Sequence, residues 1–229
     1  DVQISAKDIF NGDLAFDTVT DSHWGAVWQR GGFSNGDIFA ARLGGNAGIC
    51  EAAVLEEVLA KNPKHAEALV WHGSGVFYRA GQAFRKGNVS AGLELWQKGL
   101  DEMKAAVALD PDNVAVLIPR AAGLLEASRY VQMPDQAREL LELAVGDYEK
   151  VLRLQQSYFP SLGTHARGEL LSALASGWQR LGKEEQAQAY YQRIVKDLPD
   201  TAYAERAKTW LATKTLPNSG RSCLGCHAN

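Results

Sequence analysis

The stretch that decides the fold is Leu171-Ser172-Ala173-Leu174-Ala175-Ser176-Gly177-Trp178-Gln179-Arg180-Leu181-Gly182-Lys183-Glu184-Glu185-Gln186-Ala187-Gln188-Ala189-Tyr190-Tyr191-Gln192-Arg193-Ile194-Val195-Lys196-Asp197-Leu198-Pro199. Leu171, Leu174, Ala175 and Trp178 recur at spacings of three and four, as one face of a helix does. Gly182 interrupts the pattern. It resumes with Ala187, Tyr191 and Ile194, and Pro199 closes it. The reading is two antiparallel helices: small residues let their backbones approach, and large ones fill the gaps between them.

The same period extends upstream. From Pro134 to Leu154, Ala137, Leu140, Leu141, Ala144, Val145, Tyr148, Val151 and Leu152 form one stripe. Pro134 suits a first helical position, and Asp135 favours a helix N-terminus through the macrodipole. A second stripe is expected over Leu93, Trp96, Leu100, Met103 and Val107, ended by Asp110-Pro111. No segment sustains period-two alternation, so the fold class is all-α. Pro63, Pro111, Pro160 and Pro199 each precede a new helical run, roughly 40 to 50 residues apart, which is the spacing of helical-repeat arrays.

The order Leu171, Leu174, Ala175, Trp178, Gly182, Ala187, Tyr191 and Pro199 resembles the tetratricopeptide-repeat family, with Ile194 where a small residue is usual. The resemblance spans roughly residues 60 to 213 and is strongest in this last unit. It implies antiparallel helical hairpins. Earlier units are longer, with an insertion expected around Gly81 to Ser90, so lengthened hairpins are expected and not a regular superhelix.

Three segments follow from this pattern. Residues 1–45 form an irregular segment rich in glycine and aromatics, among them Phe10, Phe16, Trp24, Trp28, Phe33 and Phe39. That is too aromatic for a disordered tail, so loops and short helices packed on the body, or covering a cofactor, are expected. Residues 46–213 form the helical-repeat domain. Residues 214–229 read as a linker and a terminal tail.

That tail holds Cys223-Leu224-Gly225-Cys226-His227. Two intervening residues set the thiols at the separation of a porphyrin's two vinyl groups, and the adjacent histidine can turn its imidazole to the iron. A structural zinc site takes four ligands, and these residues supply three with no second Cys/His pair at metal spacing. A redox Cys-x-x-Cys belongs at a strand-to-helix turn, which the helical pattern does not provide. The pentapeptide resembles the haem-attachment motif of c-type cytochromes. The resemblance implies one covalently attached haem c, with Cys223 and Cys226 as anchors and His227 as the proximal iron ligand. It also implies export in bacteria, so a periplasmic or otherwise exported protein is expected, with any export signal already removed ahead of Asp1.

In small c-type cytochromes the motif stands near the start of a domain, with a distal methionine downstream. Here only Ala228 and Asn229 follow, so a distal ligand is expected from upstream or from another subunit. Met103 sits on a helical stripe and is expected in the core. Met133 lies in a turn before Pro134. His65 and His165 are expected at helix starts, near the surface, and Cys50 as a small buried hydrophobe. His72 and His23 stand out as distal candidates. His72 lies between Trp71 and Gly73-Ser74-Gly75, where glycines inside a helix, costing about 1 kcal/mol each, would admit either a flat macrocycle or a second helix. His23 adjoins Trp24 in the aromatic segment. Either could equally be a structural histidine, and an iron without a protein distal ligand stays open. Arg206, Lys208, Lys214 and Arg221 are candidates to face haem propionates, or form a solvated basic face.

Composition excludes other classes. The chain has 229 residues, 46% hydrophobic and 22% charged, with a net charge of −3, which offers no footprint for nucleic acid. No apolar run is long enough to span a membrane. Three cysteines, two of them in the motif, imply no disulfide framework. No Ser/His/Asp order, phosphate loop or His-Glu-x-x-His motif occurs, so no catalytic residue and no enzymatic activity are expected. The expectation is electron transfer, with a redox partner protein docking on the repeats. Two alternatives remain: a five-coordinate haem protein that binds or senses a diatomic gas or peroxide, and a repeat-based assembly protein with a secondary haem. A homo-oligomer with haem between subunits also remains open.

Overall fold

The computed structural model describes residues 24–30, 37–43 and 48–215, with side chains described from 55 to 215. From residue 48 onward the described chain is helical. The helices are α1 Gly48–Lys61, α2 Ala66–Arg85, α3 Val89–Leu109, α4 Val114–Ala127, α5 Pro134–Leu154, α6 Thr164–Arg180, α7 Glu184–Asp197 and α8 Ala202–Thr213, with a short 3-10 turn at Phe159–Ser161. Consecutive helices pair as α2 with α3, α5 with α6, α6 with α7 and α7 with α8. The described helices therefore form antiparallel hairpins. No described helix is long and apolar enough to cross a membrane. The chain divides into two compact units, one running through Gly123 and the other starting at Leu124, inside α4.

The helix starts follow from capping chemistry. The side chains of His65, Asn88 and Thr201 accept the otherwise orphaned N–H groups of Ala68, Ala91 and Ala204. Met133 caps α5 without a side-chain bond, and Pro134 takes the first helical position, where no N–H is needed. Pro63, Pro111 and Pro199 lie in the connections before α2, α4 and α8, and Pro160 lies in the 3-10 turn before α6.

The first hairpin is lengthened, as expected, with helices of 20 and 21 residues, and Gly87 at φ +76° turns α2 into α3 within three residues. The buried face of α3, however, is rotated from the expected stripe. Gly92, Gly99, Met103 and Ala106 are buried, whereas Leu93 is 57% exposed. The reason is the closeness of α2. A Cβ added to Gly99 would lie 2.7 Å from the Phe77 amide nitrogen and 2.8 Å from the Gly73 carbonyl, so only glycine admits that contact. Trp96 then lies over Phe77, with ring centroids 4.4 Å apart.

The last hairpin follows its sequence closely. Leu171, Leu174, Ala175 and Ala187 are fully buried, with Tyr191 and Ile194 nearly so. Gly182 makes the turn at φ +73°. Trp210 of α8 stacks on Tyr191 at 4.2 Å, which continues the core into the final helix.

Ahead of the helices, the described part of the N-terminal segment is not loops and short helices. Strands β1 Trp24–Arg30 and β2 Asp37–Leu43 pair antiparallel, with Trp24 opposite Leu43 and Trp28 opposite Phe39. Aromatic and β-branched residues favour strands. Here Trp24, Val27, Trp28, Ile38 and Phe39 supply that preference, but neither segment alternates apolar with polar residues, which is why the pattern gave no strand signal. Strand β2 lies against α1.

Candidate functional site

Cys223, Cys226 and His227 lie outside the described residues, as do His23 and Arg221 and the side chain of Cys50. The described residues do place the remaining candidates.

His72 sits in α2 and is 9% exposed. Its Nδ1 lies 2.6 Å from Glu102 Oε2 on α3, and its Nε2 lies 3.9 Å from Glu56 Oε1 on α1. An ionised carboxylate only accepts, so Nδ1 carries the proton of the neutral ring and Nε2 carries the lone pair. This is the tautomer that metal-ligating histidines adopt when a carboxylate holds their other nitrogen. The space at Gly73 is not spare, however. A Cβ there would meet Glu102 Cβ at 2.9 Å and the Gly99 carbonyl at 3.0 Å, so α3 fills the room that could have admitted a macrocycle.

Met103 is 1% exposed, and its sulfur lies 3.4 Å from the Ser74 hydroxyl, which places it in the core as expected. Met133 is 54% exposed at the start of α5. His65 caps α2: its Nδ1 accepts the Ala68 N–H, so the proton of the neutral ring sits on Nε2. Lys208 pairs with Glu205 at 2.7 Å. Lys214 pairs with Glu184 at 2.9 Å and lies over the Trp210 ring. Two of the expected propionate partners thus already have carboxylate partners within the protein.

One polar cluster left no mark in the sequence pattern. The Tyr203 hydroxyl on α8 donates to Glu169 Oε1 on α6 at 2.7 Å, and His165 Nδ1 lies 3.1 Å from the same hydroxyl. Because the phenol proton goes to the carboxylate, the histidine is the donor in the second bond. Burial raises the Glu169 carboxyl to about 7, against the opposing pull of the Tyr203 hydrogen bond and of Arg206. Burial likewise pushes the Tyr191 phenol up to about 12. Tyr203, Arg206, Ser172, Ser176 and Tyr191 border a hollow of about 20 Å³, room for about one water molecule. Gly168 explains the placement of Tyr203: a Cβ at Gly168 would lie 2.4 Å from that ring.

Among the described residues, no group of three or more His, Cys, Asp or Glu is placed to hold a metal ion.

No protein-family model matches the chain, and no curated protein matches it. Among solved structures it is similar to the N-terminal domain of stress-induced protein-1 from C. elegans, at 14% identity and a TM-score of 0.36, covering 62% of this chain and 96% of that one. It is also similar to a thermophilic TPR protein of Thermus thermophilus, at 19% identity and a TM-score of 0.35, covering 72% of this chain and 90% of that one.

Proposed function

We propose that this is an exported c-type haem protein that transfers electrons, with a helical-hairpin body that docks a redox partner protein. The observation that carries this reading is the pentapeptide Cys223-Leu224-Gly225-Cys226-His227. Haem bound there would supply a one-electron ferric/ferrous couple. Cys223 and Cys226 would hold it through their sulfurs, and His227 would offer one imidazole nitrogen. His72 and His23 are the candidates for the second. The exposed Val89 and Leu93 of α3, at 58% and 57%, offer apolar area to a partner protein.

A second reading is a five-coordinate haem that binds a small ligand. The observation that favours it is Met103, which is 1% exposed in the core and so withdrawn from any iron. An assembly role for the repeats, with the haem secondary, is the third. Optical and EPR spectra decide between the first two. Electron transfer predicts a low-spin iron indifferent to carbon monoxide, with a high-spin fraction appearing in whichever of His72→Ala and His23→Ala removes the ligand. A high-spin wild-type iron that binds carbon monoxide rapidly would overturn the electron-transfer reading.

A further inference from the structure

The geometry points to a proton-controlled latch between α6 and α8, built from Glu169, Tyr203 and His165, that holds α8 down in acid and loosens it as the pH rises. The three residues span 38 positions of sequence and meet only when α8 is docked. Tyr203 is 4% exposed, so its hydroxyl must find its partners within the protein, and it does so by donating to Glu169 and accepting from His165. Gly168 provides the bed for its ring, so the α8 side of the latch fits one place on α6. The far end of α8 is fastened separately, by the stacking of Trp210 on Tyr191 and the pairing of Lys214 with Glu184.

The charges around the carboxyl set the direction. From α5, Tyr148 feels its charge together with that of Asp147, and from α8 Arg206 attracts it, while Tyr191 of α7 faces Arg206. Arg206 is the one cation among these groups, and it is half-buried. Burial outweighs its attraction and keeps the docked carboxyl neutral up to about pH 7. Undocked and hydrated, Glu169 would return to its ordinary 4.5. The docked state therefore binds the proton more tightly. Each pH unit between the two values favours undocking by up to about tenfold, and the effect levels off above the higher value.

Segment-resolved hydrogen exchange on the full chain tests this, with rates corrected for the intrinsic pH dependence of amide exchange. Between pH 5 and 8, protection of residues 202–213 is expected to fall at least about tenfold, while residues 134–154 change far less. Glu169→Gln should keep the acid-side protection and flatten the profile. Tyr203→Phe removes a hydrogen bond that favours the ionised form, so its fall should move to higher pH. A flat wild-type profile, or a Glu169→Gln profile matching the wild type, would overturn the latch. Should Glu169→Gln not fold, Tyr203→Phe decides: a midpoint shifted upward supports the latch and an unshifted one overturns it.

Discussion

The hairpins α2–α3 and α6–α7 solve one problem by different means. Both must bring two antiparallel helices together and bury an apolar face. In α6–α7, alanines at 175 and 187 set the approach, and Leu171, Leu174, Tyr191 and Ile194 fill what remains. In α2–α3 the approach is glycine against backbone, with Gly73 and Gly99 opposite each other. The closer contact leaves Leu93 exposed and Leu100 only half-buried, with Val76, Phe77 and Met103 buried beside the glycines. Side-chain packing thus carries the second pair and backbone proximity the first. The two should respond differently to added and removed atoms.

The largest expected effect is in the second unit. Trp210→Ala removes a fully buried ring stacked on Tyr191 and should cost about 3–5 kcal/mol in urea unfolding. A loss below about 1 kcal/mol would mean that this core is not held by its side chains. Next comes Gly99→Ala. Overpacking against the Phe77 amide and the Gly73 carbonyl, less the gain in helix propensity, should leave a net loss of about 2 kcal/mol. At Gly177 an added Cβ would instead meet the Val145 Cγ2 methyl of α5 at 2.4 Å, on a buried β-branched side chain that is stiff at χ1, so Gly177→Ala probes the α5–α6 contact and should cost about 1–3 kcal/mol in the same assay.

Two smaller effects sharpen it further. Glu102→Ala leaves the buried His72 Nδ1–H without its acceptor across α2–α3, and about 1–2 kcal/mol should be lost in the same assay. Gly146→Ala should run the other way. It lies in the middle of α5 with nothing within 4 Å of the added Cβ, so a gain of about 0.5–1 kcal/mol is expected. A loss at Gly146 would show a contact that the fold does not contain.

These cases also show what the sequence could carry. Prolines 63, 111, 160 and 199 mark the connections because a proline disfavours helix at the residue before it and cannot donate to the ladder, although Pro119 is accommodated inside α4. The hairpin at 171–199 was legible because its buried positions are also its hydrophobic ones. The stripe on α3 was misread by one position. Hydrophobicity ranks Leu93 and Leu100 above Gly92 and Gly99, whereas a backbone contact selects the residues with no side chain. The pairs His72–Glu102 and Tyr203–Glu169 lie 30 and 34 residues apart, and no local pattern announces them. The strands at 24–30 and 37–43 escaped because their polar residues, Gln29, Arg30, Asp37 and Arg42, sit near the ends and do not alternate with the apolar ones. The terminal pentapeptide lies outside the described residues, and its reading rests on its spacing alone.

The central claim is that Cys223 and Cys226 carry a covalent haem. Its most direct test is the intact mass of the chain matured in an exporting bacterium that supplies haem-attachment machinery. The expected result is the polypeptide plus one haem, with the addition lost in the double variant Cys223→Ser, Cys226→Ser. A wild-type mass equal to that of the polypeptide alone, under conditions where a control c-type cytochrome is loaded, would contradict the claim.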